Sequence, residues 1–518
     1  MTIMVFDVVV VGSGGGALVG AFLAQRAGLR TVVVERTAYA GGTSAYSGGA
    51  CWLPGSHVQR DAGLPDSTAS ARTYLDHVLG EVDAARRARL ETFLAEAPAL
   101  VDALESDGTF AFEWTPFPEY FDAPGRVPGG RSIQPSAVKR ADLPAEVAAL
   151  VRPPVERDRV GREGRSTLSG GQALIARALT GFLREGGTVL TEHRMTDLVV
   201  EGDRVVGVVA ESAAGSVELR ADRGVLLAAG GFEGSAELRA ARGVPGDASW
   251  TMAPAGTNAG EPIEAGVRIG AATDLLGEGW FCPGMVHPDG RGSFVLAFRS
   301  GFMVDSDGRR YANESLPYDR FGREMAKAPE RVPSWFVFDS AEGGRIPAIA
   351  MPAGDPEEHL AAGTWVRADS IEELTELTGA AELEATATRF NEHAAAGHDP
   401  DFGRGEDEYD TFFAGGGGPS AVLKPLSQGP FYAAKFVLCD LGTKGGLVTD
   451  EHARVLRADG SPIAGLYASA NSAASVAGAT YPAPGVPLGT AMVFASLAVK
   501  DLLQADSAAS AEMVAPSS

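Results

Sequence analysis

The stretch Phe6–Glu35, FDVVVVGSGGGALVGAFLAQRAGLRTVVVE, decides how the rest of the chain is read. Phe6 to Val11 is dominated by β-branched valines, a run of the kind that lies buried on both faces in a parallel sheet. It ends in Gly12-Ser13-Gly14-Gly15-Gly16-Ala17, and apolar residues at helical spacing follow from Leu18 to Ala27. Thr31 to Glu35 then reads as a second strand. This order predicts an α/β chain that begins with a Rossmann-like, doubly wound nucleotide-binding domain. Gly12 permits the tight turn, Gly14 lets backbone amides approach a pyrophosphate, and Ala17 is small enough for helix and strand to pack closely. The helix N-terminus adds partial positive charge. Glu35, 23 residues after Gly12, can accept hydrogen bonds from an adenosine ribose and would repel a 2′-phosphate.

Working outward, Arg36 is followed by a second glycine turn, Gly41-Gly42-Thr43-Ser44, which can lead the chain along an extended dinucleotide toward a flavin. FAD is therefore preferred to a nicotinamide cofactor. Further close approaches come from Ala229-Gly230-Gly231 within LLAAGGFEG and from Asn471 at the end of GLYASAN. Pro487-Leu488-Gly489 opens the last helix, whose positive end can stabilise negative charge on the pyrimidine side of a reduced flavin. Residues 1–275 are expected to form the first part of the FAD-binding domain and 439–505 the second. Between them, 276–438 carries mixed strands, proline turns and a helix around Ile371 to Thr378, and is expected to be an inserted α+β substrate domain. Such an insertion creates a cleft where cofactor and substrate meet. The segment 506–518, rich in Ala and Ser, is expected to be a disordered tail.

Composition narrows the alternatives. The 518 residues are 45% hydrophobic and 21% charged, ordinary for a globular chain of two or three domains. Lys and Arg total 44 against 67 Asp and Glu, and a net charge of -23 argues against nucleic acid and anionic lipid headgroups as partners. Cys51, Cys282 and Cys439 are odd in number and far apart, which fits neither a disulfide framework nor a zinc site but does fit a reducing cytoplasm. The N-terminus lacks the layout of a secretory signal. Thr490 to Val499, the longest apolar stretch near the end, is shorter than the about 20 residues a membrane span needs. A cytoplasmic protein, at most peripheral to a membrane, is expected. The eight histidines show no HxH or HExxH spacing, the acidic run GEDEYD (Gly405 to Asp410) has no calcium-loop pattern, and no metal is expected.

The chain resembles the flavoprotein family that contains the 3-ketosteroid Δ1-dehydrogenases, within the FAD-dependent oxidoreductase 2 group, and more distantly the soluble fumarate reductases. The resemblance runs nearly full length through VVVVGSGGGALVGA, ERTAYAGGTSAYSGG with WLPG, FPEYF, LLAAGGFEG, GWFCPG, NESLPYDRFGR, LGTKGGLVTD and YPAPGVPLGTAMVF, in that order. It implies an FAD enzyme acting on a 3-ketosteroid, with an unidentified electron acceptor, and four catalytic positions: Tyr120 in FPEYF, Tyr318 in NESLPY, Tyr481 in YPAPG and Gly485 four residues later. Two positions depart from the family's usual pattern. Ala483 stands in the middle of YPAPG, and Glu261 stands where an Asp near the flavin is common.

The chemistry explains why such residues suit the task. A ketone beside one of two adjacent carbons lets that carbon lose a proton while the other gives hydride to the flavin N5. A Tyr481 hydroxyl and the Gly485 N–H could both donate to the ketone oxygen, each donor worth about 10² to 10³ in rate. The resemblance implies Tyr318 as the base for the C2 proton, supported by Tyr120. Ionising a tyrosine of ordinary pKa at pH 7 costs roughly 4 kcal/mol, so a neighbouring hydroxyl must share the load. Phe117, Phe294, Ile349 and Pro484 are candidate apolar walls for a flat steroid. Competing readings are a Δ4-(5α)-ketosteroid dehydrogenase, a noncatalytic flavin shuttle, and a fumarate reductase-like enzyme, in which Arg299, Arg320 and Arg323 would have to grip carboxylates.

Overall fold

A computed structural model describes residues 2–514. The strand Thr2–Val11 lies at the centre of an 8-stranded sheet, flanked by Thr31–Val34 on one side and Gly215–Leu227 on the other, both parallel to it. Val8 to Val11 face Thr31 to Val34 residue for residue, and their side chains are buried on both faces, as the valine run predicts. Thr188–Leu190 and Pro462–Ala468 extend the parallel core, and the hairpin of Arg194–Glu201 and Arg204–Ser212 adds antiparallel strands. The sheet thus joins strands from both ends of the chain, which gives the α/β organisation expected.

The helix Gly15–Arg26 follows the first strand and packs on Gly170–Arg184 and on the C-terminal helix Val486–Val514. That last helix is longer than its apolar stretch suggested. Its segment Val486–Gln504 passes the length and composition test for a membrane span, but 67% of the apolar window is buried inside the molecule. The tail expected from residue 506 has helical backbone as far as Val514, and residues 515–518 lie outside the described residues.

A second, 7-stranded sheet is antiparallel, in the order Phe302–Val304, Ser334–Phe338, Phe431–Thr443, Gly279–Val286, Gly292–Leu296 and Ile349–Met351, with Trp365–Ala368 also paired to Phe431–Thr443. Its long central strand runs across the boundary expected at 438 and 439. The helix Tyr318–Ala326 packs on Gly279–Val286, and a Cβ at Gly322 would lie 2.6 Å from the Cys282 amide nitrogen, so glycine there lets helix and strand touch. The helix Ile371–Thr378 has the bounds expected, with Ser370 capping it through the Glu373 amide.

Between the first strands and the second sheet, residues near 52–74 and 119–131 are stapled by a buried ion cluster. Arg131, fully buried, pairs with Glu119 (2.7 Å) and Asp66 (2.9 Å), while Trp52 Nε1 donates to Glu119 at 2.9 Å. Arg131→Leu leaves two buried carboxylates without their cation and is expected to cost about 3–5 kcal/mol of stability. Denaturant unfolding checks this, and adding Glu119→Gln to the variant should recover part of the loss.

Candidate functional site

The glycine turn is shaped by contacts that allow no side chain. Gly12 has φ +99°, its N–H donates to the Val34 carbonyl at 2.8 Å, and an added Cβ would lie 2.5 Å from the Ala228 carbonyl oxygen. Gly12 to Gly16, Glu35, Arg36, Gly42, Thr43, Ser44, Ala229 to Gly231, Glu261, Asn471, Pro487 and Leu488 all line one cavity of about 420 Å³. Two of the candidate contacts stand back from it. Ala17 is fully buried under the turn, and Gly41 donates its N–H to the Ser13 hydroxyl at 3.0 Å, bracing the wall from behind.

This half of the cavity fits FAD. Glu35 is buried and held by the Ser13 hydroxyl (2.5 Å) and by the Thr37 amide and hydroxyl (2.8 Å each), with a carboxylate edge where a ribose would lie. The Gly15 amide reaches the Ser44 hydroxyl at 3.1 Å, while Thr43 Oγ1 in the same wall is buried with no hydrogen-bond partner. An orphaned hydroxyl beside open glycine backbone is a feature that a pyrophosphate or flavin edge would satisfy. Glu261, expected near the flavin, lies instead at the Glu35 end, where Arg36 (3.3 Å) and Arg194 (3.6 Å) hold its carboxylate. Met195, which also lines that end, carried no signal in the sequence.

The other end of the cavity is aromatic and apolar, lined by Phe117, Phe294, Ile349, Pro484, Tyr318, Tyr481 and Gly485 together with Trp280, Leu296 and Met351. Ile349, 38% exposed, stands at its mouth. Tyr318 opens its helix and Tyr481 opens the YPAPG turn. Their hydroxyls meet at 2.9 Å, and the Gly485 N–H faces the Tyr481 oxygen. Gly485 has φ +85°, and a Cβ would lie 2.6 Å from the Ala50 carbonyl, so glycine alone brings that amide into place. Burial pushes the Tyr318 and Tyr481 phenols above the ordinary range.

Tyr120 does not line the cavity. It sits behind the other two, its ring edge-on to Tyr318 (5.5 Å between centroids) and Tyr481 (5.1 Å), with its buried hydroxyl lacking a hydrogen-bond partner and its pKa raised by burial. The neighbour Phe121 points elsewhere, toward Arg320. A fourth tyrosine, Tyr409, packs at 90° to Tyr120, and its hydroxyl is also buried and unpartnered. It comes from the acidic run GEDEYD. There Asp407 takes Arg126, Glu408 the Gly129 amide and Asp410 the Asn313 amide, so the charges anchor the segment that delivers the ring.

The three arginines considered for carboxylate binding are engaged elsewhere. Arg299 pairs with Glu342, Arg323 with Asp319 and Glu278, and Arg320 donates to the Tyr120 carbonyl. His393, Asp399 and Asp401 bring possible metal ligands within 4.8 Å of one another, but Asp399 is already the partner of Arg310 and Asp401 of Arg389.

Fold and site define an FAD-dependent oxidoreductase, and the chain belongs to the FAD-binding flavoprotein family whose model, FAD binding domain, matches residues 7–488. The relatives narrow the class. The 3-oxosteroid 1-dehydrogenase of Rhodococcus opacus is 40% identical over 516 residues, covering 96% of this chain and 98% of that protein. The 4-oxocyclohexanecarboxylate 2-dehydrogenase of Sinomonas cyclohexanicum is 35% identical, over 95% of this chain and 92% of that protein. Among solved structures, the 3-ketosteroid delta1-dehydrogenase of Sterolibacterium denitrificans in complex with 1,4-androstadiene-3,17-dione superposes with a TM-score of 0.87 at 30% identity, covering 97% of this chain and all of that one.

Gly12→Ala forces a left-handed conformation on a residue with a side chain, which alone costs about 1–2 kcal/mol. With the clash against Ala228 added, FAD affinity should fall about tenfold or more. Flavin absorbance per mole of purified protein, before and after dialysis, checks this.

Proposed function

We propose that this chain is an FAD-dependent 3-oxosteroid 1-dehydrogenase, removing one hydrogen each from C1 and C2 of a 3-ketosteroid. The observation that carries the reading is the convergence of the Tyr481 hydroxyl and the Gly485 N–H beside the Tyr318 hydroxyl at the apolar end of the cavity. Two donors at one point suit a ketone oxygen that gains negative charge as the C2 proton leaves. Tyr318 is the base for that proton. Its hydroxyl faces Tyr481 before substrate enters, and a ketone taking the Tyr481 donor would leave Tyr318 Oη facing the neighbouring carbon. Tyr120, behind both rings, shares the proton load through the hydroxyl that has no other partner. Bound FAD supplies the acceptor for the hydride from C1.

The cavity also favours a neutral, flat substrate. Among the described residues, the arginines lining it, Arg36 and Arg194, are paired with Glu261 at the Glu35 end, and the walls near the tyrosines carry no cation. A keto acid such as the Sinomonas relative is named for would leave its carboxylate unpaired in an apolar site, at a cost of several kcal/mol. A steroid nucleus instead matches Phe117, Phe294, Leu296, Met351 and Pro484.

We assign residues 1–275 and the segment from 444 to 505 to the FAD-binding domain and 276–443 to the substrate domain, the second boundary moved from 438 to the end of the strand Phe431–Thr443, which pairs with Gly279–Val286 up to Thr443. The three buried free thiols support a cytoplasmic setting.

Anaerobic mixing with a 3-ketosteroid is expected to bleach the flavin, and NMR of the product to show a C1–C2 double bond. Tyr318→Phe should bind FAD normally and slow bleaching by about 10²–10⁴. Tyr481→Phe should slow it by about 10²–10³. Bleaching at the wild-type rate in Tyr318→Phe would remove that residue as the base.

A further inference from the structure

Beneath the donor end of the cavity lies a buried cation with no part in the reading above. Lys444, in the segment LGTKGG, is 1% exposed, and its Nζ sits 4.4 Å from the centre of the Trp280 ring and 5.9 Å from that of Tyr481. The two rings meet edge to face at 4.8 Å, and the Trp280 N–H is held by Asn471 Oδ1 at 3.1 Å. Of the three N–H bonds on Nζ, one reaches the Ala479 carbonyl at 2.7 Å and one the Asp319 carboxylate at 3.3 Å, which leaves the third for the aromatic faces.

Neutralising Asp319 does not require this lysine. Arg323 already donates to the other Asp319 oxygen at 2.9 Å and reaches Glu278 at 3.0 Å. Burying an ammonium is costly even when it is paired, and here two cations, Lys444 and Arg323, face two carboxylates, Asp319 and Glu278, of which Asp319 is the one the ammonium touches. The groups that face Lys444 are thus Asp319 and Arg323 from the helix Tyr318–Ala326, Glu278 from the turn before Gly279–Val286, and Tyr481.

We propose that Lys444 is a positioning residue for the desaturation: its ammonium, fixed against Trp280 and Tyr481 by Asp319 and the Ala479 carbonyl, makes the Tyr481 hydroxyl a stronger donor to the ketone oxygen. A positive charge at the face of a phenol ring stabilises negative charge on that phenol's oxygen, so the hydroxyl gives more of its proton to a partner that is becoming an enolate. The effect grows as the oxygen charge grows, so it falls mainly on the rate of proton removal and little on ground-state binding of the ketone. Asp319 adjoins Tyr318 in sequence, so the carboxylate that fixes the cation sits in the first turn of the helix that carries the base.

The inference rests on the 3-ketosteroid reading, and its test separates the two. Flavin reduction by a 3-ketosteroid is followed in single-turnover mixing with the holoenzyme across pH for wild type, Lys444→Met and Lys444→Arg. No bleaching in wild type removes the functional reading. If wild type bleaches, the ratio of wild-type to Lys444→Met rate constants is the readout. Burial pushes the Lys444 ammonium down to about 8, so the charge is present below that pH and lost above it. The ratio should be about tenfold or more well below pH 8 and close toward one above it. Lys444→Arg, charged throughout, should keep the wild-type rate at low pH and exceed wild type at high pH. The steroid concentration giving half-maximal rate should change little. A ratio of one at low pH, or a loss that is the same at every pH, overturns the proposal, the latter by marking a purely structural role. If Lys444→Met does not retain FAD, the comparison of Lys444→Arg with wild type decides alone, and an unchanged pH profile counts against it.

Discussion

The turn Tyr481–Gly485 is gripped through its carbonyl groups, and the geometry of the site depends on that grip. The Tyr120 amide and the Tyr74 hydroxyl both donate to the Pro482 carbonyl, at 3.0 and 2.7 Å, the Ser132 hydroxyl donates to Pro484, and the Trp52 amide donates to Gly485. Four donors from segments hundreds of residues away in sequence thus fix one short turn. Tyr120, Tyr74 and Ser132 lie around the Arg131 cluster, so the buried ions hold the donors and the donors hold the turn. The positive φ of Gly485 is tolerated because this network determines it from several sides at once.

The two halves of the cavity are built on different principles. The FAD half is backbone, with a turn whose glycines let main-chain amides and a helix N-terminus face the cofactor. The aromatic half is side chain, with tyrosines packed edge to face and hydroxyls buried where desolvation makes them reluctant to ionise. A reluctant phenol needs neighbours that accept part of the charge, and the hydroxyls of Tyr120 and Tyr409 stand nearby with no competing partner.

How much of this was legible in the sequence follows from the range of each interaction. The run Phe6–Glu35 encodes its own strand, turn and helix, because burial on two faces, a glycine turn and helical spacing are local properties. Ala483 and the Arg trio could likewise be named from sequence, but what each touches could not. Tyr120 reads from sequence as a supporting partner of Tyr318, but its depth behind that ring comes from a helix and a loop 200 residues apart meeting behind the cavity wall. Tyr409 lies in a run whose charge pattern draws attention to metal binding, and Lys444 in LGTKGGLVTD, which carries the family resemblance but gives the lysine no role. A lone lysine between glycines in an apolar stretch was the available signal. Its meaning required knowing that Trp280 and Tyr481 lie above it.

The strand Ile349–Met351 closes the second sheet and is hydrogen-bonded on one side alone, to Gly292–Leu296. It is three residues long, carries the half-open Ile349 at the mouth of the cavity and, among the described residues, shares no hydrogen bond with the gripped turn. Such an edge can shift or be rebuilt without unravelling its neighbours. A change in the width of the cavity mouth can therefore be made at this margin, while the turn Tyr481–Gly485 stays held by a separate set of donors. That separation gives a lineage of this architecture a route to new substrates through one short ribbon of chain.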